Sequence, residues 1–206
     1  MSNVDTPRRR GPYAKSAERR RSIVDAAFEV FASRGYRGGS LQDVADRVGL
    51  SQTSLLHYFP SKRDLLVAVL NKRDAEADTG PIGQGHFDFE TTLVEQARYN
   101  EGVPGLIELY SVLCGEAVTT DYPGRDYFVA RFARLREEYS AELIQLREQG
   151  RLRPGVDPER AASSIVALWD GIQLQWLLDP SVDMAACLKD FLDSIIVPAN
   201  ATPTAS

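Results

Sequence analysis

The chain has 206 residues, of which 43% are hydrophobic, and a formal net charge of −5. That is enough apolar material for one large domain or two small ones, and no apolar run approaches the roughly 18 residues that a membrane span requires. Two cysteines, Cys114 and Cys187, are too few and too far apart for a disulfide framework or a metal site.

The only histidines are His57 and His86, and no nucleophile elbow, phosphate loop or metal-ligand spacing is present. No catalytic residue, metal or cofactor is therefore expected. The basic N-terminus is not followed by the apolar segment of a secretory signal, so a soluble cytoplasmic protein is expected.

Charge divides the chain. Residues 1–73 hold 14 Lys and Arg against 7 Asp and Glu, a net +7, whereas residues 74–206 hold 10 against 22, a net −12. A basic front on an acidic body points to a polyanionic partner for the front alone.

In chain order, residues 1–15 read as a flexible basic arm rich in Pro, Gly and Arg. A first helix is expected from about Ser16 to Arg34, because Ile23, Ala26, Ala27, Val30 and Phe31 form one apolar stripe. Gly35 stops it. Ser40 opens a second helix, with Asp43 placed to complete a capping box and Leu41, Val44, Ala45 and Val48 facing inward. Gly49 breaks that helix, and Ser51 caps a third of about two turns that ends before Pro60. Ser61 and Asp64 repeat the capping pattern at the start of a fourth helix, which runs to about Ala77. "TGPIGQG" reads as a loop. The remainder reads as helices at about 88–100, 104–119, 123–149, 158–178 and 183–197, with no convincing strand. The expected architecture is all-α, with about nine helices. Residues 16–62 are expected to form one unit, 63–197 a helical body and 198–206 a disordered tail.

Two short helices pinned at Gly49 make a helix-turn-helix, in which the second helix enters the major groove. Leu50, Leu55 and Phe59 can hold that helix from inside. Gln52, Thr53, Ser54, His57 and Tyr58 are left for base edges and phosphates. The arm, with Arg8, Arg9 and Arg10 followed by Lys15, Arg19, Arg20 and Arg21, can track the backbone or enter a minor groove.

The pieces "IVDAAFEVFASRGY", "SLQDVADRVGLS", "L-x-x-YF" and "PSK-x-x-LL" within residues 22–70 closely resemble the N-terminal domain of the tetracycline-repressor (TetR) family. "ALWDGIQLQWLLDP" resembles the penultimate helix of that family's body. The resemblance implies a homodimeric transcriptional repressor, released from a palindromic operator by a small ligand in the C-terminal domain. Carried over by position, it implies phosphate contacts from Ser40 and Lys62. One departure is Leu56, where the family commonly places a phosphate-contacting tyrosine.

The last two helices are apolar over more than one face, so each must bury against more than one neighbour. The resemblance makes the second neighbour another subunit, with Ile165, Leu168, Gly171, Leu188, Phe191, Leu192 and Ile195 at the interface. Pocket candidates are Phe87, Tyr110, Cys114, Phe128, Phe132, Trp169, Gln173 and Trp176, since a small-molecule site needs large apolar walls with a few polar groups. A DNA-binding protein governed by a protein partner, or acting architecturally, is the alternative reading. Whether regulation is negative or positive stays open.

Overall fold

The computed structural model describes residues 12–77, 79–84 and 88–198. Among the described residues there are ten helices: α1 Pro12–Gly38, α2 Leu41–Arg47, α3 Gln52–Leu56, α4 Lys62–Ala77, α5 Pro81–Gln84, α6 Phe89–Glu101, α7 Pro104–Glu116, α8 Arg125–Glu148, α9 Pro158–Leu178 and α10 Met184–Ile195. The architecture is all-α, as expected. The helix beyond the expected nine is α5, a single turn inside the predicted loop.

Local chemistry sets most of the helix starts. Ser40 and Asp43 form the reciprocal capping box, and the Ser61 hydroxyl accepts from the Asp64 amide at 3.1 Å. Ser51, Asp88, Asp157 and Asp183 each accept an amide hydrogen of the first turn. Each such cap stabilises its helix by about 1 kcal/mol. The first helix begins earlier than expected, at Pro12, where proline suits a first turn. Its regular part ends at Gly35, whose φ of 69° is left-handed. Gly49, with a φ of 64°, makes the turn between α2 and α3.

The final helix is shorter than expected. Ile196 is extended and pairs with Leu152 in an isolated antiparallel bridge. The Val197 amide donates to the Arg151 carbonyl at 2.7 Å, and the Arg153 amide to the Ile195 carbonyl at 2.9 Å.

Two apolar cores result. The first joins α1–α4 to α7 and the start of α8, through Phe31, Leu55, Phe59, Leu66, Leu109, Leu113 and Phe128 among others. The second joins α6, the far end of α8, α9 and α10, around Leu93, Leu143, Ile165, Leu188 and Leu192. The boundary expected at residue 62 is therefore no break in packing, because α4 and α7 both belong to the first core.

Where α1 ends, the amides of Tyr36 and Arg37 donate to the two Glu116 carboxylate oxygens, at 2.7 Å and 3.1 Å. A Cβ on Gly35 would overlap that carboxylate. Gly35→Ala should therefore cost at least about 1–2 kcal/mol for the left-handed backbone alone. Urea denaturation should show a lower midpoint at unchanged slope.

Candidate nucleic-acid interface and body cavity

Leu55 and Phe59 are fully buried and hold α3 against the first core. This leaves Gln52, Thr53 and His57 exposed at the surface of the motif. Ser54 is half-buried, and its hydroxyl lies 2.8 Å from that of Ser51. Tyr58 is half-buried and packs on the first core, so more of it is scaffold than its polar end suggests. Leu56 is also half-buried.

Ser40 and Lys62 both have partners. The Ser40 hydroxyl donates to Asp43 at 2.6 Å and accepts from its amide at 3.0 Å. The Lys62 ammonium lies 4.5 Å from the centre of the Tyr36 ring and 3.5 Å from the Arg37 carbonyl. Burial draws the Lys62 pKa down.

Arg8, Arg9 and Arg10 lie outside the described residues. Arg19 and Arg20 belong to α1 rather than to an arm. The Arg19 guanidinium donates to the Val48 carbonyl at 3.4 Å, and that of Arg20 lies 4.4 Å from the centre of the Phe59 ring. They brace the turn and α3 from behind, a role that their place in a basic run did not suggest.

On the late helices, Ile165, Leu188 and Leu192 are buried within the single chain. There they belong to the second core. Leu168, Phe191 and Ile195 are half-buried and pack against that core. Gly171 is half-buried, and a Cβ there would meet nothing within 4 Å. The large exposed apolar residues of α9 are Leu174 and Leu178, the latter 88% exposed.

A cavity of about 670 Å³ lies at the seam between the two cores. Six helices line it. Arg73 and Asp74 come from α4, Gln96 and Asn100 from α6, Leu106, Ile107 and Tyr110 from α7, Arg131, Leu135 and Tyr139 from α8, and Val166, Trp169 and Asp170 from α9; Ile82 of α5 completes the wall.

Of the predicted pocket residues, Tyr110 and Trp169 line this cavity. Phe128 lies in the first core, with Phe132 and Cys114 packed against it, and none of the three lines the cavity. Gln173 is buried elsewhere, and Trp176 borders a surface groove near Arg98 and Lys189. Phe87 lies outside the described residues.

The residues missed are the charged ones. Arg73 follows Leu66, Val69 and Leu70 on one helical stripe, so a charge on an apolar face was the available signal. Asp170 sits likewise in the apolar stretch "ALWDGIQ". Burial pushes the Asp170 pKa up to about 6, against the opposing pull of Arg131. Burial and then the Asp170 charge raise the pKa of Tyr110, whose hydroxyl is 3.4 Å from that carboxylate.

A capped two-helix motif with an exposed polar face, set on a helical body with an internal cavity, defines a DNA-binding regulator of the helix-turn-helix class. Residues 23–69 match the profile described as bacterial regulatory proteins, tetR family, and residues 112–197 match that of the BetI-type transcriptional repressor C-terminal domain. The chain belongs to the TetR family of transcriptional regulators, which are sequence-specific DNA-binding proteins and not enzymes.

It is 42% identical over 64 residues to the HTH-type transcriptional activator FasR of Mycolicibacterium smegmatis, covering 31% of this chain and 29% of that protein. It is 41% identical over 54 residues to the regulator RutR of Escherichia coli K12, covering 26% of each. The matched stretch thus spans under a third of either relative. Among solved structures, a transcriptional regulator from Saccharomonospora viridis in complex with choline superimposes with a TM-score of 0.74 at 26% identity, covering 88% of this chain and 99% of that one.

The raised Asp170 pKa has a stability consequence. The folded chain binds this proton more tightly than the unfolded chain, whose pKa lies near the ordinary 3.8. The favourable contribution is complete below that value and is lost as pH rises through about 6. Asp170→Asn should therefore raise stability at pH 7.5 by up to about 3 kcal/mol. It should also flatten the pH dependence between about 4 and 6, as read by urea melts across pH.

Proposed function

We propose that the protein is a homodimeric repressor that leaves a palindromic operator when a small molecule fills the seam cavity. The observation that carries this reading is the position of α4. Its first residue is Lys62, beside the helix-turn-helix, and Arg73 and Asp74, three turns later, are cavity wall. A helix rises 1.5 Å per residue, so about 16 Å of rigid rod joins the two. A ligand acts only through its difference in affinity between two states. A cavity whose wall includes α4 offers that difference directly.

On DNA, Gln52, Thr53 and His57 supply the base-edge and phosphate contacts of α3, while Ser40, Lys62 and Tyr58 fix its register on the backbone. Arg8, Arg9 and Arg10 add sequence-independent attraction that salt weakens. Dimerisation places two recognition helices one DNA turn apart, about 34 Å. The exposed Leu174 and Leu178 on α9 suit such a contact better than the buried Ile165, Leu188 and Leu192. The repressor sense is supported by the match of residues 112–197 to a repressor C-terminal profile. The cavity weighs against control by a protein partner alone.

Selection from random duplex DNA with the full chain should enrich a palindrome, and a sequence-independent result would sink the operator reading. On the selected site, Thr53→Ala should lower affinity by roughly 1–3 kcal/mol at one base position. Lys62→Met should weaken all sequences alike and reduce the salt slope by about one.

A further inference from the structure

The seam cavity carries an unusual set of charges. Arg134 and Glu138 are both 57% exposed and face each other at 3.8 Å, so they form a solvated pair at its rim. Further in, a single carboxylate serves three donors. Asp74 takes the Arg73 guanidinium at 3.1 Å, the Tyr127 hydroxyl at 2.6 Å and the Arg131 guanidinium at 3.7 Å.

Arg73 is only 5% exposed. Its guanidinium and that of Arg131 lie 4.5 Å and 5.3 Å from the centre of the Tyr110 ring. The Nε of each arginine is buried with no hydrogen-bond partner. An unsatisfied buried donor costs about 1–3 kcal/mol, more when charged.

The other inner carboxylate feels both arginines without contacting either. Asp170 has no ion pair within 4.0 Å among the described residues, and its one hydrogen bond comes from the Tyr110 hydroxyl at 3.4 Å. Burial weakens its hold on a charge. Two guanidiniums thus contact one committed carboxylate, in a wall whose apolar part includes Leu106, Ile107, Leu135, Val166 and Trp169 and whose polar part includes Gln96 and Asn100.

We propose that the seam cavity binds a small organic anion, a carboxylate on an apolar body, its charged end drawn to Arg73 and Arg131 and its apolar part lying against Leu135, Val166 and Trp169. The proposal rests on the reading of this cavity as the effector site. Planar guanidiniums suit a carboxylate in both charge and geometry. A cation entering the same space would face both arginines, with Asp170 the one lining carboxylate outside an ion pair among the described residues.

The test uses the full chain at pH 7 and three probes of equal length below their micelle concentrations: decanoate, 1-decanol and decyltrimethylammonium. Calorimetric titration should show saturable binding of decanoate, with the other two weaker by about tenfold or more. Arg131→Gln should weaken decanoate by about tenfold, Arg131→Lys should recover part of that loss, and Asp170→Asn should leave decanoate binding intact or tighter. Thermal melts and DNA binding of each variant confirm that it is folded. Three results overturn the proposal: preference for the ammonium probe with its loss in Asp170→Asn, equal decanoate binding by wild type and Arg131→Gln, or no binding by decanoate. A parallel titration against the selected operator separates the two readings. DNA release by the ammonium probe keeps ligand control and rejects the anion site. Decanoate binding without any change in DNA affinity keeps the anion site and rejects ligand control.

Discussion

The structure depends on how the chain leaves its first helix. Gly35 turns the backbone out of α1, which frees the amides of Tyr36 and Arg37 from helical bonding. Both are taken up by one carboxylate from elsewhere in the chain, Glu116 at the end of α7. Buried or half-buried amides without partners are costly, so the break in α1 and the end of α7 require each other. Around this joint, Tyr36 packs edge-on against Tyr122 at 5.6 Å and tilted against Phe31 at 5.8 Å. The Lys62 ammonium lies over the same Tyr36 ring. One aromatic side chain therefore touches α1, the start of α4 and the segment between α7 and α8.

The joint gives the two ends of the molecule a short mechanical path. Tyr110, in the cavity wall, and Glu116 lie six residues apart on α7, about 9 Å along its axis. From Glu116 the path continues through the backbone at residues 36–37 to Ser40, which caps α2. A second path runs along α4 from Arg73 to Lys62. Both consist of packed helix and directed hydrogen bonds. The first core spans both paths, which is why the helix-turn-helix is not a separate bead on the body.

The cavity is where the chain departs from what stability alone favours. Burying two arginines over one tyrosine, with a single shared carboxylate, is poor for folding, since desolvation of charges offsets much of their attraction. An apolar plug of the same volume would stabilise the seam better. Such departures concentrate at functional sites. The arrangement makes sense when the missing interaction is supplied by something that enters the space.

Features that depend on neighbours in the chain were legible in the sequence alone. The caps at Ser40, Ser51 and Ser61, the stop at Gly35, the turn at Gly49 and the sorting of Leu55 and Phe59 inward from Gln52, Thr53 and His57 outward all follow from hydrogen bonds and periodicity over three or four residues. The helix-turn-helix, and with it the DNA-binding class, was readable for that reason. The partition of α9 and α10 was not. Their apolar residues cover more than one face, and periodicity cannot say which face meets the chain's own core; packing is what places Ile165, Leu188 and Leu192 in the second core. The cavity was also beyond local reach. Arg73, Asp74, Arg131 and Asp170 lie on three helices separated by up to a hundred residues, and each alone reads as a charge on a helix. Only the packing of α4, α8 and α9 around Tyr110 brings them together, because the shape of an interior is set by how helices meet and not by what any one of them contains.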